Sequence, residues 1–235
     1  MPALTPARVS LSIILAAVLA LGTLNLAKQP LAQAKREPMP VTQLERPTNW
    51  AQPIVATQSA PFLLHQMQPQ LYRSALPSAE AVPQLQALGI TTVINFYQKP
   101  DTQWLSDPAI EQIHLPLRTN RIDDQDVLQV LRAIEQAEQQ GKVLIHCKHG
   151  QNRTGLIAAM YRMVYQGWSK AQALAEMQQG FGGEARMEDA TRYIQQVDVA
   201  AIRYALANGH CSTQKWHFCQ ISQWWRDFNL IGGAS

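Results

Sequence analysis

Downstream of residue 70, short apolar runs alternate along the chain with stretches in which apolar residues recur at helical spacing. Short runs of β-branched or apolar residues predict strands, whereas apolar residues three and four positions apart predict helices. The predicted strands cover residues 71–74, 91–96, 112–117 and 142–147, and the predicted helices cover residues 78–88, 127–140, 156–166, 169–178 and 187–207. Strands that alternate with helices form parallel sheets. The pattern therefore predicts an α/β fold with a central, mostly parallel sheet flanked by helices and a helical C-terminal half.

Polar residues and glycines mark the ends of several predicted helices. Ser78 stands where one helix begins, and Ser169 with Gln172 has the spacing of a capping box at the start of another. Gly89 and Gly141 stand where two helices end. These residues therefore predict where several of the helices begin and end.

The first 34 residues have the pattern of a secretory signal. Arg8 precedes an apolar run from Leu11 to Leu24, and Ala32-Gln33-Ala34 offers a small-x-small cleavage site. The alternative is an uncleaved membrane anchor, because the apolar stretch through Ala27 is close to the lower limit of about 17 residues for spanning a bilayer. We expect cleavage, with no stable membrane insertion afterwards; in either case the folded part is exported.

Residues 35–70 contain six prolines and few periodic apolar positions, which predicts an extended, partly disordered lead-in. The folded domain is expected to span residues 71–235, starting near Leu71. Its C-terminal tail is rich in aromatic residues. The helical spacing of these residues favours packing onto the domain over a partner-binding surface. They are Trp216, Phe218, Trp224, Trp225 and Phe228.

Charge argues against nucleic acid as a partner. The whole chain has 20 Lys and Arg against 17 Asp and Glu, a net charge of +3. Loss of the signal would remove Arg8 and Lys28 and leave a net charge of about +1. A surplus this small does not form the basic face that binds a phosphate backbone.

The three cysteines fall into two groups. Cys211 and Cys219 are close together near the C-terminus and, in an exported protein, are expected to form a disulfide. Cys147 is then left over. A buried, inert cysteine is the plain alternative for Cys147, but its neighbours in the sequence argue for chemistry.

Cys147 begins a polar loop that lies between an apolar strand and an apolar helix. Backbone N–H groups of such a loop converge on one point, and the N-terminus of the following helix favours an anion there. The same positive field favours the thiolate of Cys147 over the thiol, which makes it a nucleophile. The residues predicted to hold the phosphate are Lys148, His149, Gly150, Gln151, Asn152 and Arg153.

Arg153 and Thr154 complete the predicted catalytic loop. The guanidinium of Arg153 can clamp a phosphate with paired charge-assisted hydrogen bonds, which lysine cannot reproduce. Gly150 allows the tight turn that brings the loop back. The hydroxyl of Thr154 is a candidate donor to the Cys147 sulfur when the sulfur becomes a leaving group, and a helix N-cap is its other possible role.

Residues 147–155 match the Cys-x5-Arg-Ser/Thr signature, and the chain resembles the dual-specificity branch of the cysteine-dependent protein tyrosine phosphatases. The resemblance runs from about Leu71 to about Ala207, including Leu71-Tyr72-Arg73-Ser74 and Ala159-Met160-Tyr161-Arg162-Met163. It is also similar to periplasmic phosphatases of the TpbA type from Gram-negative bacteria. The resemblance implies that Cys147 attacks phosphorus, an acid protonates the leaving oxygen, and water hydrolyses the phosphocysteine, with no metal or other cofactor.

The general acid is the point at which this chain departs from the family pattern. The resemblance places an aspartate in residues 118–126, near a position that is Asn120 here. The nearest carboxylates are Asp123 and Asp124, which are the candidate acids, followed by Asp126. Capping and dipole compensation at the start of the next helix are the alternative roles for all three.

The substrate class stays open between three alternatives. A weak acid favours aryl over alkyl leaving groups, hence protein phosphotyrosine, and the resemblance implies periplasmic domains of membrane signalling proteins, such as diguanylate cyclases. Lys148 and His149 are similar to the loop of phosphoinositide and inositol phosphate phosphatases. Asn120 also fits a catalytically weak phosphate-binding module. Rhodanese-like sulfur transfer uses a comparable cysteine loop, but the spacing of Arg153 argues for phosphate.

Overall fold

The computed structural model of the protein describes residues 46–55, 62–181, 187–214 and 218–219. Six strands form one mixed sheet in the order β1-β2-β3-β6-β4-β5. The strands are β1 (Gln52–Pro53), β2 (His65–Gln68), β3 (Leu71–Ser74), β4 (Ile90–Asn95), β5 (Glu111–His114) and β6 (Lys142–His146). Strands β3, β6, β4 and β5 run parallel, whereas β1 and β2 join the edge antiparallel. The predicted, mostly parallel sheet is confirmed.

Helices cover both faces of this sheet. They are α1 (Val82–Leu88), α2 (Asp124–Gln140), α3 (Asn152–Tyr165), α4 (Lys170–Gln179), α5 (Glu188–Gln196) and α6 (Val199–Ala207). In β6, Val143 and Ile145 point into the core formed with α2 to α6, whereas Leu144 joins Leu85 of α1 on the opposite face. Because alternate side chains of β6 are buried on opposite faces of the sheet, this strand lies at the centre of the domain. Its carboxyl end is directed to the candidate site.

The folded domain extends upstream of Leu71, the predicted start. Ala51, Phe62, Leu64 and Met67 are buried, and β1 and β2 extend the sheet from β3. Pro53 is tolerated because β1 is an edge strand with few ladder partners. Thus part of the segment predicted to be an extended lead-in belongs to the domain.

Some element boundaries differ from the prediction. The stretch predicted as one helix from residue 187 to 207 is two helices, because Asp198 caps α6 by accepting hydrogen bonds from the N–H groups of Ala200 and Ala201. Ser78 precedes a 3-10 turn and makes no side-chain cap. The capping box of Ser169 and Gln172 is confirmed.

Several predictions fall wholly or partly outside the described residues. The signal at 1–34 and the tail residues Trp216, Trp224, Trp225 and Phe228 are among them. Phe218 of the same tail is described and is 80% exposed, so the predicted packing onto the domain is wrong for this residue. In the described part of the chain, no helix has the length and apolar character needed to cross a membrane. Cys211 and Cys219 are joined by a disulfide, as predicted.

Candidate active site

The carboxyl ends of three parallel strands meet at the start of the predicted phosphate loop. Ser74 at the end of β3 and Asn95 at the end of β4 both lie in register with His146, the last residue of β6. Cys147 follows directly, and α3 begins five residues later at Asn152. The predicted arrangement of strand, tight loop and helix N-terminus is therefore present, and it is an arrangement that favours anions.

Gly150 is required by the path of this loop. Its φ is +71°, in the left-handed region, and a Cβ there would lie 2.6 Å from the backbone N of Ala75. The loop is also held by hydrogen bonds to the rest of the domain: Leu76 N–H donates to the Lys148 carbonyl at 3.2 Å, and Arg73 Nη2 donates to the Gly150 carbonyl at 2.7 Å. Only glycine meets both the conformation and the close approach.

Cys147 is a free thiol and only 1% exposed. Burial is the largest influence on its pKa and raises it. Hydrogen bonds from the Thr154 hydroxyl and N–H, the charge of Arg153 and the N–H of His149 outweigh burial, so that the pKa of Cys147 is lowered from its ordinary value. The local environment thus favours the thiolate, the form that acts as a nucleophile.

Arg153 lies in the first turn of α3, six residues after Cys147. Its Nη1 donates to the carbonyl of Phe96 at 3.2 Å, and its guanidinium carbon lies 5.5 Å from the centroid of the Tyr97 ring. Both partners follow β4, so the guanidinium is held between the loop and the end of that strand. Tyr97 was not predicted as a site residue, because nothing in the sequence around it signals the contact.

Thr154 is not the N-cap of α3, because the helix already begins at Asn152 with Gln151 as its N-cap. Its Oγ1 is buried, and its interaction with the Cys147 sulfur lowers the pKa of that thiol. This placement fits the predicted role as a donor to the sulfur. The side chains of Lys148 and His149, which follow Cys147 in the loop, are exposed.

A buried pair that the sequence did not predict, His146 and Asp101, supports the loop at the end of β6. His146 Nε2 lies 2.8 Å from Asp101 Oδ2, and both side chains are buried. The other carboxylate oxygen, Oδ1, accepts hydrogen bonds from Asn95 Nδ2 at 2.9 Å and Trp104 Nε1 at 2.7 Å. Asp101 thus connects the strand end that precedes Cys147 to the end of β4. His146 thereby holds the start of the loop in place.

The candidate acids have structural partners. Asp123 caps α2 by accepting from the N–H groups of Gln125 and Asp126, and Asp126 completes a capping box. Asp124 accepts hydrogen bonds from the hydroxyls of Tyr193 and Thr213. The capping role predicted as the alternative for Asp123 and Asp126 is therefore present. Proton donation by Asp123 or Asp124 stays a prediction.

The comparisons with known proteins agree with this geometry. The family described as dual specificity phosphatase, catalytic domain, matches residues 71–196. The chain is 46% identical to dual specificity protein phosphatase TpbA of Pseudomonas aeruginosa over 184 residues, which cover 78% of this chain and 83% of that protein. Inositol diphosphatase DSP5 of Arabidopsis thaliana is 28% identical over 146 residues, which cover 58% of this chain and 70% of that protein.

A solved structure also matches the fold. The crystal structure of a cysteine-to-serine variant of P. aeruginosa TpbA in complex with pTyr has a TM-score of 0.65 and 48% sequence identity, covering 70% of this chain and 99% of that chain. The match with the family and the identity to TpbA both include the loop of Cys147 and Arg153. This chain therefore belongs to the dual specificity phosphatase family.

Proposed function

We propose that the protein is an exported phosphatase that hydrolyses protein phosphotyrosine through a phosphocysteine on Cys147. The observation that carries the proposal is the lowered pKa of this thiol at a loop that is closed by Gly150 and followed by the N-terminus of α3. A thiolate at the centre of an anion-binding loop is suited to attack a bound phosphate. The phosphotyrosine complex of the related TpbA supports the choice of substrate.

The reaction proceeds in two steps. The Cys147 thiolate attacks phosphorus, so that a phosphorus–sulfur bond forms, the bond to the tyrosine oxygen breaks, and that oxygen takes a proton from an acid or from water. Water then attacks the phosphocysteine and releases inorganic phosphate and the thiolate. Arg153 holds the equatorial phosphate oxygens in both steps, and the Thr154 hydroxyl stabilises the sulfur as it leaves.

The proposed location is the periplasm, with residues 1–34 as a cleaved signal. The arrangement of Arg8, the apolar run and Ala32-Gln33-Ala34 supports export. The Cys211–Cys219 disulfide suits an oxidising compartment. Periplasmic domains of membrane signalling proteins, such as diguanylate cyclases, are the proposed class of substrate protein. Cell fractionation of the full chain, with an N-terminal sequence of the mature form, tests export and cleavage.

The activity is tested with the purified domain and an aryl phosphate, followed by phosphotyrosine, phosphoserine and phosphothreonine peptides. We expect Cys147→Ser to lose turnover while it still binds phosphopeptide, since the hydroxyl is too weak a nucleophile. Glu80→Ser is the control, because Glu80 is exposed and lies outside the phosphate loop. Undiminished turnover in Cys147→Ser would remove the nucleophile assignment.

A second candidate function is hydrolysis of inositol diphosphates or other multiply charged phosphates. The exposed side chains of Lys148 and His149 next to the nucleophile favour it, because added positive charge suits a substrate with several phosphates. The similarity to an inositol diphosphatase gives it further support. Comparing kcat/KM on inositol phosphates and phosphotyrosine peptides separates the two; a large peptide preference of the unaltered protein would discard the second candidate.

A further inference from the structure

Arg73 lies directly behind the phosphate loop. It is in the middle of β3 and is 0% exposed. Its guanidinium carbon is 3.3 Å from the centroid of the Phe181 ring, and its Nη2 donates to the Gly150 carbonyl at 2.7 Å. Phe181 in turn accepts a hydrogen bond from Gln151 Nε2 through its carbonyl. The arginine is therefore fixed between an aromatic ring and the turn of the loop.

The surroundings of Arg73 contain more positive than negative charge. Arg162 is also buried, Arg46 is half-buried, and the one carboxylate among these groups is Glu176. Both oxygens of Glu176 are occupied, at 2.8 and 2.9 Å by Arg162 and at 2.6 Å by the N–H of Ala51. A buried charge without a counter-charge is costly, so this cluster favours an anion nearby.

Two of the N–H donor atoms of Arg73 make no hydrogen bond to the described residues. Its Nε and Nη1 atoms are buried and have no hydrogen-bond partner in the described part of the chain. Burial lowers the pKa of Arg73 to about 9, while the charges of Glu176 and of the Cys147 thiolate oppose that change. Burial lowers the pKa of the neighbouring His65 to about 4, so that His65 is neutral at pH 7. Since its pKa remains above 7, Arg73 stays charged at pH 7. The two anions near it are the Glu176 carboxylate and the Cys147 thiolate.

We propose that Arg73 is a positioning residue of the phosphatase reaction, holding the loop at Gly150 and supplying positive charge from behind the loop for the Cys147 thiolate and the bound phosphate. The inference rests on the proposed role of Cys147 as the nucleophile. Arginine suits the position because a planar guanidinium stacks on Phe181 and donates to a carbonyl at the same time. Arg73 is distinct from Arg153, which approaches from α3.

The test measures the pH dependence of Cys147 alkylation by iodoacetamide in Arg73→Met and Arg73→Lys. With the Cys211–Cys219 disulfide intact, Cys147 is the one free thiol, so the titration reports its pKa directly. In Arg73→Met we expect the midpoint to rise by about one pH unit and vanadate inhibition to weaken about tenfold. In Arg73→Lys the midpoint stays near the wild-type value, whereas kcat falls about tenfold because the loop is held less well.

The control is Arg132→Met, a half-buried arginine whose hydrogen bonds go to the carbonyls of Ala205 and His210, neither of which belongs to the phosphate loop. It is expected to lose stability without moving the thiol midpoint. A folded Arg73→Met with wild-type midpoint and vanadate inhibition would overturn the proposal. If Arg73→Met does not fold, Phe181→Leu replaces it, because loss of the ring releases the guanidinium. A raised thiol midpoint in Phe181→Leu supports the proposal. An unchanged midpoint in Phe181→Leu, together with an unchanged kcat in Arg73→Lys, overturns it.

The result is separable from the nucleophile assignment. If Cys147→Ser kept full turnover, the proposed function would fail, whereas the alkylation midpoint would still report how Arg73 acts on the thiol. If Cys147→Ser is inactive and the midpoint does not depend on Arg73, the proposed function stands and the role of Arg73 is rejected.

Discussion

Nε2 of His146 lies 2.8 Å from Oδ2 of Asp101, and this buried pair connects the strand that ends before Cys147 to the loop after β4. The carboxylate also accepts hydrogen bonds from Asn95 and Trp104. His146, the residue before the nucleophile, thus belongs to a network of polar groups centred on Asp101. Such networks fix side-chain positions, and they are sensitive to the loss of one member.

Replacing Asp101 by Ala is expected to lower the free energy of unfolding by about 3 kcal/mol, because buried His146 and half-buried Trp104 lose their partner and Asn95 loses one of its two acceptors. The rate on an aryl phosphate should fall as well, since His146 would no longer hold the start of the loop. Urea unfolding and steady-state kinetics measure the two effects. Asp107→Ala is the control, because Asp107 makes only exposed hydrogen bonds among those described, with Gln86 and Ala109. Equal losses in the two variants would contradict the role of Asp101.

Gly150→Ala tests the geometry of the phosphate loop. The new Cβ would lie 2.6 Å from Ala75 N and 2.7 Å from the Ser74 carbonyl, so the loop must shift away from β3. A displacement of this kind in a catalytic loop costs about 100-fold in kcat. Gly167→Ala is the matched control, with the same φ of +71° and no heavy atom within 4 Å of the added Cβ among the described residues. It carries the backbone strain of about 1 kcal/mol without the clash, so a similar loss of kcat in both variants would refute the argument.

The central features of the fold and site followed from local sequence patterns. The strand before Cys147, the tight turn at Gly150 and the capping box of Ser169 and Gln172 each depend on residues close together in the chain, and such patterns can be read without the fold. The short strand β2 could not be predicted in this way, because it is stabilised by pairing with β3 rather than by its own periodicity.

The contacts that support the site could not be predicted for a related reason. Asp101 is 45 residues from His146, and Arg73 is 77 residues from Gly150. Their pairing exists only after the parallel strands bring their carboxyl ends to one edge of the sheet. Sequence spacing carries no sign of this, and a lone aspartate in a polar loop is usually a turn former.

Thr154→Val removes the hydroxyl that favours the Cys147 thiolate and keeps the shape of the side chain. The pKa of Cys147 is then expected to rise, because one of the hydrogen bonds that lower it is lost. Activity requires the thiolate and is lost as the pH falls through this pKa, so the acidic limb of the kcat/KM profile should move to higher pH. Rapid-quench kinetics should also show phosphocysteine accumulating, with a fall of about tenfold in its hydrolysis.

Thr154→Ser is the matched variant, since it keeps the hydroxyl and loses one methyl group. We expect its pH profile to follow the wild type. A profile that moves equally in the Val and Ser variants would mean that packing, and not the hydroxyl, is responsible.

The proton donor can be identified by changing one residue of the loop before α2. Asn120 is exposed in the 3-10 turn Thr119–Arg121, near the position at which related enzymes are expected to carry an acid. Asn120→Asp should therefore raise the rate on alkyl phosphates by about tenfold and change the rate on aryl phosphates little, because only a poor leaving group needs a proton as its bond breaks. Thr119→Asp, which places a carboxyl group one residue earlier, should give no such difference. If Asn120→Asp instead left both substrates unchanged while Asp124→Asn slowed the alkyl phosphate selectively, the acid would be Asp124, and its contacts with Tyr193 and Thr213 would have to open during turnover.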